Sequence, residues 1–216
     1  MNDGKVLKIK WTAWALPLLV LAAVWLRAGT FAPSVINHDE STYILIGKAL
    51  WQGDTYLVDA YDTKPIGIFL IYALLYVLSG GSIWLMRLYT AVVVGLTAYL
   101  LFRLSWQVSK QSVVAWSAAL GYLLLSSTFK FYGISPNTEL FFVPLAVAAV
   151  GLVWPLNRPW WVYALAGLLL GIGFIIKYVI AADALAIGLL LLWRAARKSD
   201  WWTTIVARAL PLTLCF

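Results

Sequence analysis

The sequence predicts an all-α, polytopic transmembrane helical protein with juxtamembrane helices in its first outward loop, and three observations predict it. Of 216 residues, 63% are hydrophobic and only 12% are Asp, Glu, Lys or Arg, against roughly half and a quarter in a soluble domain. Long apolar stretches recur with brief polar breaks between them, the pattern of membrane spans. Thirteen Trp and eleven Tyr supply amphipathic rings of the kind that collect at headgroup level. The formal charge of +7 does not indicate nucleic acid, because the basic residues separate apolar runs instead of forming a patch interleaved with aromatics. A single cysteine, Cys215, excludes an internal disulfide and a cysteine metal cluster.

Each element follows from its apolar run, a span needing about 20 residues. The first is expected over 11–31. Its basic lead, MNDGKVLKIK, is shared with signal peptides, but no small-residue cleavage site precedes the polar loop, so it is read as a retained anchor. A helix over 38–51 follows, with Asn37 as its cap and Glu40 three residues later to complete a capping box. The run IGIFLIYALLYVLS after Pro65 is only fourteen residues long. At that length a helix lying on the surface over 65–79 is expected instead of a crossing. Pro65 suits a first turn because it lacks the donor that position leaves unused, and Gly80-Gly81-Ser82 ends the helix. Further spans are expected over 83–104, 112–128, 139–156, 160–176 and 178–193, the last two turning near Lys177 to Asp183. Gly171 and Gly173 are read as small residues permitting close helix packing. A seventh span, 201–216, stops within an apolar run. The chain is therefore expected to be the amino-terminal part of a longer protein, and alone to enter a membrane without turnover.

Charge sets the orientation. If 65–79 stays on the surface, Lys5, Lys8, Lys10, Arg103, Lys110, Arg158, Arg194, Arg197 and Lys198 all fall in the cytoplasm, as the positive-inside rule favours. The amino terminus is then cytoplasmic, and 37–65 and 129–138 share the outer side.

Those two outward segments hold the polar constellation. Asp39 reads either as a first-turn acid favoured by the helix dipole or as a chemical group, with Tyr43 four residues on along the same face. Glu40 reads as structural. His38 reads as a metal ligand or, more plainly, a solvated residue. Lys64 is an interfacial snorkelling lysine or a phosphate contact, with Asp59 and Asp62 either solvating the loop or orienting it. Arg87 lies about one turn inside the second span, where a charge is costly unless paired or facing a polar cavity, and Lys177 is likewise set among apolar residues. Glu139 opens the fourth span as a helix-start acid, capped by Asn137 or Thr138, on the same side as Asp39.

With these residues in view, the chain resembles a membrane glycosyltransferase that uses a polyprenyl-phosphate sugar donor. It is similar to the bacterial RgtA/B/C/D-like group, related to the protein O-mannosyltransferases and the lipid A aminoarabinose transferases. HDESTY, YDTKPIG, WLMRLYTAVVVGLTAYLLFRL, SPNTELFF and GIGFIIKY carry the resemblance, in order, across nearly the whole chain. Two departures stand out: Ile66 follows Pro65 where many relatives have a second proline, and Glu139 stands where Asp is frequent. The resemblance implies that Asp39, with Glu139, is catalytic, Asp39 as general base toward an acceptor hydroxyl. It implies Lys64, Arg87 and Lys177 as contacts of the donor phosphate, with Glu40, Tyr43 and Asp62 in support. The leaving polyprenyl phosphate needs cations instead of a proton, and attack opposite it inverts the sugar carbon. Expected partners are the polyprenyl-phosphate sugar, a lipid, polysaccharide or protein acceptor, and the bilayer of a bacterial inner membrane. No nucleic acid and no cofactor are expected, the lipid-linked donor being a substrate; no metal-ligand set is read from the residues, and whether a divalent metal takes part is left open. A transporter, or a non-catalytic membrane assembly protein, is the alternative. Transporter sites tend to lie near the bilayer midplane in broken helices, whereas these charges gather near one surface.

Overall fold

Helices occupy the apolar runs. The computed structural model describes residues 3–34, 36–128, 133–155, 158–196, 202 and 205–216. In chain order these form α1 (Asp3–Arg27) with a 3₁₀ turn (Ala28–Thr30), α2 (His38–Trp51), α3 (Ile66–Ser79), α4 (Ile83–Ser109), α5 (Ser112–Ser126), α6 (Thr138–Val153), α7 (Trp160–Ile176) and α8 (Ile180–Ala196). A π-helical stretch, Ile205–Ala209, then leads into α9 (Leu210–Leu214). The expected end at 156, residues 129–132 of the expected second outward segment, Arg197 and Lys198, and the start of the expected seventh span at 201 lie outside the described residues. Among the described residues α4 is the one helix long and apolar enough to cross a membrane, by length and composition. The expected crossings from 112 to 193 are helical but have only 15 to 17 residues each. At 1.5 Å per residue that is about 22–26 Å, short of a hydrocarbon core of about 30 Å.

The chain divides into two compact units, Met1–Thr42 with Leu75–Leu140 and Tyr43–Leu74 with Phe141–Phe216. In the first, α1, α4 and α5 pack together through rows spaced four residues apart. Ala15, Leu19 and Ala23 meet Val94, Ala98 and Phe102, and Ala115, Ala119 and Leu123, all buried. Such i±4 ridges interlock between helices, and the alanines allow close approach. Gly95 marks a close crossing of α4 with α1, since a β-carbon there would sit 2.6 Å from the Val20 α-carbon. The turn from α4 to α5 is made by Lys110, held left-handed at φ 58° while its N–H donates to the Trp106 carbonyl at 2.9 Å, a helix stop normally given to glycine. At the end of α3, Gly80 and Gly81 both take positive φ; their N–H groups donate to the Val77 and Tyr76 carbonyls at 3.2 and 2.9 Å. That is a Schellman ending.

In the second unit the Tyr43 ring packs edge-on against Phe69 and Tyr72, with centroids 5.7 and 5.3 Å away. Gly47 allows this contact, because a β-carbon there would lie 2.8 Å from the backbone at Tyr72 and Ala73. Gly67, in the first turn of α3, lies directly against the Ile175 carbonyl near the end of α7. The terminal segment packs along α7, where Gly171 faces the Phe216 carbonyl and Gly167 that of Leu212. Gly173 faces the Ile180 side chain instead, so it admits the first residue of α8.

Candidate functional site

In the first unit the polar residues gather where α2 begins. Asn37 caps the helix, its Oδ1 accepting the Glu40 N–H at 2.9 Å. The capping box is only half formed, since the Glu40 carboxylate takes the N–H of Ile36 at 3.1 Å and is otherwise turned toward Arg87. Arg87 Nε donates to Glu40 Oε1 and Nη2 to Oε2, both at 2.7 Å, with the two side chains 0% and 1% exposed. Parallel fork geometry of this kind is the strongest form of the ion pair. The remaining guanidinium N–H groups reach the carbonyls of Thr30 (2.6 Å), Pro33 (2.5 Å) and Ser34 (3.4 Å). All five donors are thus engaged within the protein. Arg87 fastens the 30–34 turn and the start of α2 to α4, and its buried guanidinium has no N–H left for a donor phosphate. The partner required of a buried charge is Glu40.

Asp39, half-buried, is thereby fixed beside a rigid neighbour, while His38 is exposed. Glu139 is exposed at the start of α6, and its Oε2 accepts the Thr138 hydroxyl at 3.0 Å. A second buried arginine, Arg27 (1% exposed), was absent from the sequence-derived site. Its Nη1 donates to the carbonyls of Ser126 (2.8 Å) and Gly133, and its Nη2 to Ile134 at 3.0 Å.

The second unit holds Tyr43, Asp62, Lys64 and Lys177. The 54–65 loop is built from its own bonds. Asp59 Oδ2 accepts the Thr55 N–H at 2.8 Å, so Asp59 closes its own turn. Asp62 Oδ1 accepts the Lys64 N–H at 3.1 Å, an Asx turn that sets the backbone before Pro65. Tyr56, also unforeseen, donates its hydroxyl to the Asp62 and Lys64 carbonyls at 3.0 and 2.5 Å. Burial pushes the Tyr56 phenol above its ordinary value, so it keeps the proton those bonds need. Lys64 Nζ lies 3.9 Å from Asp62 Oδ1 and 5.2 Å from the Tyr43 ring centroid. Asp62 and Tyr43 therefore flank the ammonium, one by charge and the other by its ring face.

A cavity of about 620 Å³ opens beside Lys64, walled by residues 55–57 and 62–66 of the loop and by Phe174, Ile175 and Tyr178. Its size is that of a small-molecule site, and its lining has the usual mix of apolar surface with a few polar groups. Lys177, half-buried, occupies the break between α7 and α8 and donates its N–H to the Gly173 carbonyl at 2.9 Å. Among the described residues no group of three or more His, Cys, Asp or Glu is arranged to hold a metal ion. No protein-family model matches the sequence, no curated protein matches it, and no solved structure matches it.

Proposed function

We propose that the chain serves a polytopic membrane glycosyltransferase, one that moves a sugar from a polyprenyl-phosphate donor to a hydroxyl acceptor, with inversion, on the outer side of a bacterial inner membrane. The observation that carries this reading is the cavity beside Lys64. It joins one ammonium to a largely aromatic and aliphatic wall, a combination suited to a ligand with an anionic head and an apolar tail. In this proposal Lys64, assisted by Lys177, offsets the charge of the departing lipid phosphate, where low dielectric strengthens each contact. Asp39 accepts the acceptor's proton as the new glycosidic bond forms, and Glu139 acts on the acceptor side. Asp62, Tyr43 and Tyr56 hold Lys64 in place. Arg87 and Glu40 have a different part from phosphate contact: they fix the start of α2, and with it Asp39.

The test is single-turnover transfer from a panel of polyprenyl-phosphate sugars by membranes carrying the complete reading frame. Asp39→Asn retains a good helix-start residue but no base, and should slow the chemical step by about 10²–10⁴ with donor affinity little changed. Lys64→Gln should weaken donor binding, because phosphate charge is present in both ground and transition states. Near-normal turnover in Asp39→Asn would remove the base, and unchanged affinity in Lys64→Gln would remove the phosphate contact. Absence of transfer from every donor in the panel would remove the reading itself.

A further inference from the structure

Arg27 closes a helix that is otherwise apolar over its last two turns, yet it is buried and its three bonds all end on backbone carbonyls far along the chain. Two of those carbonyls, Gly133 and Ile134, lead directly into Ser135, which is 0% exposed. The Ser135 hydroxyl accepts Asn37 Nδ2 at 2.7 Å. Asn37 in turn caps α2 through the Glu40 N–H, and Glu40 is locked by Arg87. A continuous path therefore runs from Arg27 through 133–135 to Asn37, Glu40 and Arg87. It passes within a few residues of both acids, Asp39 beside Glu40 and Glu139 beyond Ser135. A separate observation points the same way. Gly133 packs directly on the Ser126 backbone, where a β-carbon would come within 2.9 Å of the Ser126 α-carbon and closer still to its carbonyl. Only glycine lets residues 126 and 133 approach closely enough for one guanidinium to bind both carbonyls.

We infer that Arg27, Gly133 and the Asn37–Ser135 bond form a latch that holds the two acid-bearing segments, 36–40 and 133–139, in one register. Arg27 and Ser135 are positioning residues. They touch no reacting atom; they set where Asp39 and Glu139 stand relative to each other. The latch itself needs no assumption about chemistry. Its consequence for turnover rests on the transferase reading above.

The first measurement is disulfide trapping between Asn37→Cys and Ser135→Cys in a Cys215→Ser background, scored by loss of free thiol after mild oxidation. With Arg27 present the pair should close readily. Arg27→Met, Arg27→Lys and Gly133→Ala should each slow closure several-fold, lysine included, because one ammonium cannot span three carbonyls in the guanidinium plane. Helical circular dichroism identifies the variants that retain their fold, and three substitutions guard against one failing to fold. Undiminished closure in the folded variants overturns the latch. The second measurement uses Ser135→Ala, which leaves the Asn37 cap on α2 intact. Its kcat should fall several-fold while the donor KM stays the same, a split that simple loss of stability would not produce; equal kcat overturns the positioning role. If trapping behaves as expected while the native protein transfers no sugar, the transferase reading fails and the latch stands.

Discussion

Arg87 and Glu40 meet through two parallel bonds with neither side chain in contact with solvent, so removing either one strands the other's charge. Breaking a buried pair in this way costs about 3–5 kcal/mol. Arg87→Leu and Glu40→Leu should each lower unfolding stability in detergent by that order, whereas the double substitution should lose less than the two singles combined. Full additivity in that cycle would mean the pair is not coupled. Arg87→Lys should fall near Arg87→Leu, because a point charge cannot reproduce the fork or reach the 30–34 carbonyls. The sequence reveals that Arg87 needs a partner, since it lies in an apolar run. It does not reveal which acid, because the choice between Glu40 and Glu139 depends on how the segments 36–40 and 133–139 pack. Arg27 is less legible still. Its acceptors are carbonyls, which every residue carries, so no side chain elsewhere in the chain announces them.

At the scale of elements, turn chemistry carries most of the information. α2 fills 38–51 as the Asn37 cap suggests, and α7 fills 160–176 after Pro159. α3 begins one residue later than expected, after Pro65, and closes on Gly80 and Gly81. The end of α4 was not legible: it runs to Ser109 instead of 104 because its stop is a left-handed lysine, and nothing in the residue type signals that conformation. The breaks around Lys177 behave similarly, with α8 starting at Ile180 and reaching Ala196. Contacts between elements are set by small residues in ways the run of hydrophobicity hides. Gly47→Ala would drive a methyl group to 2.8 Å from the α3 backbone. Overpacking of that order costs about 1–3 kcal/mol. The measurable result is a lower melting temperature together with weaker donor binding, since α3 follows directly from the Lys64 turn. A melting temperature equal to that of the native protein would show that α2 and α3 can part without loss.

For the whole molecule, composition gives an all-helical chain without ambiguity, while length leaves its relation to the bilayer to be measured. Labelling of single cysteines in a Cys215→Ser background checks the proposed threading directly. Asp54→Cys should react from outside, and Ser109→Cys and Ser199→Cys from the cytoplasm; because Gly133 is buried against the Ser126 backbone, a tag inserted after it, and not a cysteine in its place, is the second outside reporter. An inward-facing 133 would separate the two acid-bearing segments across the membrane. The Arg27 bonds also impose an order in time. Their acceptors lie 99 to 107 residues further along the chain. At roughly 5–20 residues per second, a nascent chain takes about 5–20 s after Arg27 is made to supply them. Throughout that interval the helix end bearing a cation must wait in contact with water or with the insertion machinery. The start of α2 can therefore reach its final form only after α5 and residues 133–135 have been synthesised, so a ribosome paused before residue 133 holds a chain whose Arg27 is still waiting for its full set of ligands.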